Sequence, residues 1–426
     1  MTQAVQLRPP TESAVERFAR YAAIDTESAE DSEIVPSTPG QWDLARLLVD
    51  ELGELGAEDI WLSDTCVVYA KIPSNLRDDT EPPAVVGLIA HMDTTPQVTG
   101  RNVRLVVHSD YQGGDIVLPG DPTQVITVAA NPVLHDMLGD DIITSDGTTL
   151  LGSDDKAGVA AIVTMVDTMR QNPEIRHGTI AIAFTPDEEP GSGIDTFEID
   201  RFGAAFAYTI DGDGYGAIYN ETWHARSATV TFSGRNTHPG TAKGILVNSA
   251  FALADYLLRL PREMLPEATE GREGYIHPLR GTFDVEASVL VLGLRDFDTS
   301  GLDAQERLLR DLAAQTQERF PDVGISVEVE EFYRNMLDVL KDHPQLIENA
   351  QEATRRAGIT PTVAATRGGT DGAQLTFRGL PTPDLFTGGY NFHSKHEFNS
   401  RRGLEKTTEM LVHLVQIVAE GGSADA

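Results

Sequence analysis

Three carboxylates stand side by side at the end of an apolar run. The segment TIAIAF (179–184) is followed, after two residues, by Asp187, Glu188 and Glu189. Neighbouring carboxylates repel one another, so a strand end beside the core favours them only where positive charge is close. Divalent cations supply such charge and are bound in proteins by carboxylate oxygens and imidazole nitrogens. Metal binding is therefore the chemistry that this segment indicates.

Imidazole and carboxylate groups also follow two other apolar runs. His91 and Asp93 come after AVVGLIA (84–90), and Asp211 comes after AAFAYTI (204–210). Continuous apolar runs of this length are typical of strands covered by helices on both faces of a sheet. Ligand sites in open α/β sheets lie beyond the carboxyl ends of the strands. We therefore expect these groups to meet at one edge of a sheet.

Two further segments bring candidate ligands from outside the strands. GSDDKAG places Asp154 and Asp155 just before a predicted helix, and GGYNFHSKHEF places His393 and His396 in a glycine-rich loop. Histidine and carboxylate ligands without cysteine suit Zn²⁺, Mn²⁺ or Co²⁺ at catalytic sites. Because there are more candidates than one ion binds, two ions that share a bridging carboxylate are the interpretation we favour.

Each of these groups has a simpler explanation when it is taken alone. Asp154 or Asp155 could be a helix N-cap, and Asp211 could belong to a turn. His91 could be a strand-end histidine with ordinary hydrogen bonds, and the loop histidines could be solvated. Three strand ends that each deliver such a group favour the metal site.

The elements that would position these groups follow two patterns. Helices alternate with buried strands in residues 1–221 and 338–426, which predicts an α/β domain with a mostly parallel sheet flanked by helices. Residues 222–337 follow the order strand, helix, two strands, helix, strand, which is that of a ferredoxin-like α+β domain. The prediction is a discontinuous metal-binding catalytic domain interrupted by an inserted lid domain.

The charge of the chain limits its partners. The 426 residues include 33 Lys plus Arg against 66 Asp plus Glu, a formal net charge of -33. Because such a chain repels phosphate backbones and anionic lipids, we expect neither nucleic acid nor a membrane as partner. The N-terminus lacks the apolar core of a signal peptide, so we expect a cytoplasmic protein.

Taken together, these segments resemble the M20 family of co-catalytic zinc hydrolases. The matching segments are AHMDTTP, LLGSDDKAGVA, AFTPDEEPGSG, YTIDGDG, RNTHPGTAKG and RGGTDGAQLTFRGLPTPDLFTGGYNFHSKHEF. The last of these is most similar to the tripeptide aminopeptidases of the family, and the resemblance covers nearly the whole chain. It implies a zinc-peptidase-type fold and a di-zinc enzyme that removes the N-terminal residue from tripeptides.

The resemblance also implies a role for each site residue. It implies five metal ligands: His91, Asp154, Glu189, Asp211 and His396. Asp154 would bridge two Zn²⁺ ions, with His91 and Asp211 on one ion and Glu189 and His396 on the other; Mn²⁺ or Co²⁺ could substitute. Asp93 would orient His91. Glu188 would be the general base, whereas His393 and Asp187 would not be ligands.

Substrate contacts are expected from cationic groups. His238, in the lid, would stabilise the oxyanion, and Arg295 or Arg367 would pair with the carboxylate of the peptide. A surface ion pair is the alternative for each arginine. The resemblance further implies a homodimer formed through the lid. The alternative functions are another M20-type hydrolase (a dipeptidase or an N-acyl amino acid deacylase) and, more remotely, a metal-binding protein without turnover.

Overall fold

A computed structural model describes residues 8–30, 32–76 and 82–421 of the chain. The chain divides into two compact units. The first comprises the described residues up to Asn220, Val339–Ala365, and the described residues from Thr370 onward. The second comprises Glu221–Asp338 and Thr366–Gly369. Residues 366–369, which the sequence pattern placed in the first domain, therefore pack with the second unit.

The described residues form helices from both units. In chain order they are α1 (Ala14–Ala22), α2 (Gly40–Glu54), α3 (Ser153–Gln171), α4 (Ile199–Phe202), α5 (Ser249–Leu258), α6 (Thr299–Arg319), α7 (Leu337–Leu340), α8 (Pro344–Arg356), α9 (Asp371–Phe377) and α10 (Arg401–Ala419). Helix α1 begins with a capping box, because Ser13 and Glu16 each accept the backbone N–H of the other. None of the helices in the described ranges has the length and apolar character needed to cross a membrane.

The strands of the described residues are mostly short outside the second unit. In chain order they are β1 (Glu58–Leu62), β2 (Val68–Ile72), β3 (Val86–His91), β4 (Val106–His108), β5 (Ile116–Val117), β6 (Val125–Ile126), β7 (Ile142–Thr144), β8 (Ile180–Thr185), β9 (Phe206–Gly212), β10 (Ala217–Glu221), β11 (His224–Ser233), β12 (Tyr275–Thr282), β13 (Ala287–Asp296), β14 (Gly324–Tyr333), β15 (Thr362–Ala365), β16 (Asp384–Phe386) and β17 (Phe398–Ser400).

The first unit is built on an eight-stranded sheet with the order β1-β2-β8-β3-β9-β16-β10-β15. Its four central strands, β8, β3, β9 and β16, pair in parallel, whereas β1, β2 and β10 pair antiparallel to their neighbours. The parallel strands β3 and β8 are buried along their whole length, as their continuous apolar sequence predicts. The predicted α/β fold is confirmed.

Helix α3 covers one face of the central strands and is buried on nearly all sides. It packs against β3 and β9, and on its other side against α1 and α10. Its middle, AGVAAIVTMV, is almost entirely apolar because little of the helix faces solvent, and its buried Asp167 pairs with Arg17 of α1. Asp154 and Asp155, at its start, have non-helical backbone angles, so the regular helix begins after them.

The second unit has the predicted ferredoxin-like topology. Its four strands are all antiparallel and lie in the order β12-β13-β11-β14, with α5 following β11 and α6 following β13. Its core forms between the sheet and these helices and includes Phe232, Leu253, Tyr256, Leu292 and Leu309, all 0% exposed.

A short turn joins the two middle strands of this unit, since β12 ends at Thr282 and β13 begins at Ala287. Asp284 stabilises this turn, because its carboxylate accepts the backbone N–H of Glu286 and its own N–H donates to Ser288. Such local hydrogen bonds favour a turn over an extended strand.

Candidate metal centre

The ends of three neighbouring parallel strands bring ligand-type side chains together. Strand β3 ends at His91, β9 carries Asp211 next to its last residue, and β8 ends at Thr185, just before the carboxylate segment. Because β8, β3 and β9 are adjacent and parallel, their carboxyl ends lie at one edge of the sheet. The turn before α3 adds Asp154.

The first group that could hold a metal ion consists of His91, Asp154 and Asp211. The Nε2 atom of His91 lies 2.9 Å from Oδ1 of Asp154 and 3.4 Å from Oδ1 of Asp211. His91 is 2% exposed, so the sheet edge shields this group from solvent.

The second group that could hold a metal ion consists of Asp154, Glu189 and His393. The Nε2 atom of His393 lies 3.1 Å from Oδ2 of Asp154 and 3.0 Å from Oε2 of Glu189. Asp154 is common to both groups and turns one oxygen toward each, Oδ1 to His91 and Oδ2 to His393. One carboxylate between two ligand sets is the arrangement that a bridging ligand requires.

His396, which we expected to be a ligand, is in neither group. His393, which we did not expect to be a ligand, takes its place beside Glu189. The reason lies in the backbone of the loop, where Asn391 and His393 both have positive φ angles, 58° and 57°. His396 follows this turn, and its carbonyl accepts a hydrogen bond from Asn391.

Asp93 lies behind His91. Its Oδ1 atom is 3.3 Å from Nδ1 of His91, on the side of the ring away from Asp154. The same carboxylate accepts the backbone N–H groups of Glu188 and Glu189, at 3.0 and 3.3 Å. Asp93 therefore links the imidazole of one group to the backbone that carries the other.

The three consecutive carboxylates have different surroundings. Asp187 is fully buried and accepts hydrogen bonds from the N–H and hydroxyl of Ser37 and from Gln41, so it fixes the loop to the start of α2. Glu189 joins the second group, whereas Glu188 is in neither group. The loop turns back on itself at Gly193, where a Cβ atom would lie 1.6 Å from the carbonyl oxygen of Pro186.

The chain without metal ions holds protons at this edge. Burial raises the pKa of Glu188 well above its usual value, and burial together with the Asp154 carboxylate raises the pKa of Glu189 to about 7. Although burial opposes it, the carboxylates of Asp211, Asp154 and Asp93 raise the pKa of His91 well above its usual value. The negative charge here thus exceeds the positive charge that the chain supplies.

The donor set fits divalent cations. Both groups combine imidazole nitrogen with carboxylate oxygen, the set that zinc and related metals use at catalytic sites. The Oε1 atom of Glu189 is buried and has no hydrogen-bond partner among the described residues. A buried carboxylate oxygen without a donor is costly, and a cation beside it would remove that cost.

Four further acids near the site are buried, and only Asp155 among them was considered from the sequence. Asp155, Asp371, Asp384 and Glu397 are each at most 3% exposed. Asp371 begins α9 and accepts the Thr185 hydroxyl at 2.7 Å. Asp384 could have been recognised from the sequence, because it lies in the short apolar strand PDLF and an unpaired carboxylate is rare in a core strand.

The expected substrate contacts all lie in the second unit. His238 is exposed, and its Nδ1 accepts the N–H of Gly240. The guanidinium of Arg295 donates to the carbonyls of Leu294 and Arg226, and that of Arg367 donates to the carbonyl and hydroxyl of Thr269. Neither guanidinium forms an ion pair with a carboxylate of the described residues.

Comparison with known proteins gives the family. A profile of peptidase family M20/M25/M40 matches residues 150–417. Peptidase T of Salmonella schwarzengrund is 43% identical over 411 residues, which make up 96% of this chain and 99% of that protein. The chain belongs to peptidase family M20/M25/M40. The resemblance inferred from the strand-end residues is therefore confirmed.

Solved structures share the fold of this M20 chain. A tripeptidase from Staphylococcus aureus has a TM-score of 0.72 at 21% identity, with 96% of this chain and 98% of that chain covered. The aminopeptidase PepT from Bacillus cereus has a TM-score of 0.70 at 22% identity, with 95% and 98% covered. The two-unit plan of this M20 chain therefore recurs in proteins of low sequence identity.

Proposed function

We propose that the chain is a di-zinc aminopeptidase that removes the N-terminal residue from tripeptides. The observation that carries the proposal is the pair of His/carboxylate groups that share Asp154. The peptidase T relative at 43% identity supports the substrate class. A cytoplasmic location and a homodimer formed through the second unit stay predictions.

Two groups of residues would hold the metal ions. His91, Asp154 and Asp211 would hold one ion, and Asp154, Glu189 and His393 the other, with His393 in the place first assigned to His396. Zn²⁺ is the proposed metal, and Mn²⁺ or Co²⁺ would fit the same donors. When bound, such a pair supplies Lewis-acid polarisation of the scissile carbonyl and acidifies water.

Glu188 is the proposed general base. It stands next to a metal-group residue but belongs to neither group, and Asp93 fixes its backbone through the N–H. Burial raises the pKa of its carboxyl well above the usual value in the metal-free chain, and cations held by the two groups would favour its ionised form, which could accept a proton from the attacking water. The same carboxyl would then donate that proton to the leaving amine.

The ends of the substrate need two kinds of partner. The cationic amino terminus of a peptide would be attracted to the carboxylates at the sheet edge. The carboxylate terminus would pair with Arg295 or Arg367, whose guanidinium groups are free of ion pairs with the described carboxylates. His238 would donate a hydrogen bond to the oxyanion.

Peptide length tests the proposal directly. The protein would be incubated with dipeptides, tripeptides and tetrapeptides of one composition, with Zn²⁺ and with a chelator, and the products separated. We expect release of the N-terminal residue from tripeptides, and loss of that activity on chelation. Cleavage only of dipeptides or of N-acyl amino acids would instead support the alternative M20-type hydrolases. Metal binding without turnover of any substrate would support the non-catalytic alternative.

A further inference from the structure

The residues of the two metal groups are held through their backbones by a second set of buried carboxylates. The backbone N–H of His91 donates to Oδ2 of Asp155 at 3.1 Å, and that of Asp211 donates to Oδ1 of Asp384 at 3.1 Å. A third acid, Glu397, holds Asp154. We call these three acids, Asp155, Asp384 and Glu397, the outer carboxylates.

Glu397 makes the most contacts of the three. Its Oε1 accepts the N–H of Asp154 at 3.0 Å, and its Oε2 accepts the N–H groups of Leu151 and Gly152, both at 2.8 Å. Glu397 lies four residues after His393, in the same loop. It therefore ties the turn that carries the shared Asp154 to the loop that carries the second histidine.

Asp155 also uses both of its oxygens. Oδ2 binds the N–H of His91, and Oδ1 accepts the N–H of Gly158 in the first turn of α3, at 3.1 Å. It thus connects the end of β3 to the start of the helix that follows Asp154.

Asp384 differs in using one oxygen for two bonds. Its Oδ1 accepts the hydroxyl of Thr209 at 3.0 Å as well as the N–H of Asp211. Both donors belong to β9, so Asp384 fixes the strand segment that presents Asp211.

No Lys or Arg side chain of the described residues forms an ion pair with any outer carboxylate. Three buried acids without a cation of their own are costly for a protein, and neutral acceptors could make similar hydrogen bonds. Their charge is favourable only where cations are near. Charged acceptors also make stronger hydrogen bonds than neutral ones and so hold the backbone more firmly.

We propose that Asp155, Asp384 and Glu397 are positioning residues that hold the backbones of His91, Asp211 and Asp154 and thereby set the affinity of the centre for divalent cations. The proposal rests on the metal centre described under the proposed function. It makes the outer carboxylates part of the metal site although none of them belongs to either metal group.

Asp384→Asn separates charge from geometry. Asparagine keeps an oxygen that can accept the hydrogen bonds of Thr209 and Asp211, and it removes the charge by replacing the other carboxylate oxygen with an NH₂ group. Asp146 provides a matched control, because its Oδ1 likewise accepts one N–H and one hydroxyl, both from Thr148, and it is 5% exposed. Asp146 holds none of the metal-group residues, so Asp146→Asn should leave metal binding unchanged.

The measurement is calorimetric titration of the metal-free proteins with Zn²⁺ in a competing chelator. Wild type should bind two ions, and Asp384→Asn should weaken one of the two binding events about 10- to 100-fold. The event that it weakens should be the one that a His91→Ala change abolishes. A general loss of structure would weaken both events and would lower the urea midpoint of the metal-free variant.

Glu397→Gln provides a second test. The amide can accept on one side only, so its NH₂ group would face a backbone N–H, and both binding events should weaken because Asp154 is shared. If this variant fails to fold, Asp384→Asn still decides the matter. Wild-type affinity for both ions in folded Asp384→Asn would overturn the proposal. A wild-type protein that binds fewer than two ions would instead overturn the proposed function on which it rests.

Discussion

Two buried clusters of charge in the first unit are built in opposite ways. In the first, Arg17 lies 2% exposed between three helices, with Nε 2.8 Å from Glu51 and Nη2 2.8 Å from Asp167. Arg20 adds a second guanidinium to Glu51. In the second, at the sheet edge, the carboxylates outnumber the histidines and no guanidinium of the described residues pairs with them.

The difference separates a structural cluster from a functional one. In the Arg17 cluster each buried carboxylate pairs with a guanidinium of the chain itself, so the cluster joins α1, α2 and α3 without any other component. The sheet-edge cluster lacks the positive charge that would balance it. A buried cluster of acids that the chain leaves unbalanced is therefore the better indication of a cation site.

Removing Arg17 would break the first cluster and should give the largest loss of stability. Arg17→Met leaves Asp167 and Glu51 buried beside an apolar side chain, so we expect a loss of about 3–5 kcal/mol in the free energy of unfolding. Urea unfolding measures it, and the loss should be the same with and without Zn²⁺.

The control is Arg46→Met, which removes an exposed pair with Asp43. It should cost no more than about 1 kcal/mol. Equal losses of unfolding free energy in Arg17→Met and Arg46→Met would contradict the expectation that the buried ion pairs of Arg17 matter more for stability than the exposed pair of Arg46.

The next prediction concerns the sheet-edge cluster and the two histidines of its loop, His393 and His396. His393→Ala removes a nitrogen beside Asp154 and Glu189, so Zn²⁺ affinity should fall by more than the roughly 100-fold expected for a residue that acts through a ligand. His396→Ala, three residues further on, should bind both ions nearly as wild type does. Titration of the two variants with Zn²⁺ measures both affinities. A larger loss of affinity in His396→Ala than in His393→Ala would support His396 as the ligand.

The two clusters should also respond to pH with opposite signs. Although burial opposes it, hydrogen bonds from Thr11 and Arg17 lower the pKa of Asp167. Its contribution to stability is therefore present above the ordinary pKa of an Asp and is lost as the pH falls through the lowered value. Near the sheet edge, burial raises the pKa of Asp371 and of Glu397 to about 7.

The raised pKa values of Asp371 and Glu397 predict an effect on stability that is smaller than the loss expected for Arg17→Met. Between about pH 4.5 and 7 these two carboxyls bind more protons in the folded metal-free protein than in the unfolded chain, so their contribution to stability should decrease as the pH rises. Zn²⁺ should abolish that decrease, because a cation favours the ionised carboxylates. Urea unfolding of the metal-free protein at several pH values checks the sign, and a steady gain in stability from pH 5 to pH 7 would contradict it.

Periodicity was enough to predict the fold, and the strand ends were enough to predict that His91, Asp211 and the carboxylate segment meet at one edge of the sheet. Continuous apolar runs identify β3, β8 and β9 because strands buried on both faces have no polar side. The parallel pairing then places His91 and Asp211 at one edge without any further information. Even the ferredoxin-like unit followed from the order of its elements.

The residues that lie elsewhere than expected depend on local backbone angles or on tertiary packing. His393 and His396 have the same chemistry in one loop, and only the positive φ angles at Asn391 and His393 decide which imidazole lies beside Glu189. Arg367 is next to the first unit in sequence but packs over Trp223 and Tyr275 of the second. Neither the position of His393 beside Glu189 nor the packing of Arg367 with the second unit can be predicted from composition or periodicity.

Glu188→Ala, measured for both metal content and turnover, tests the central claim most directly. The variant should bind two Zn²⁺ ions per chain, because Glu188 is in neither metal group, and its tripeptide hydrolysis should fall by about 10²- to 10⁴-fold, the usual contribution of a general base. Turnover at the wild-type rate, or loss of one ion together with the activity, would contradict the account.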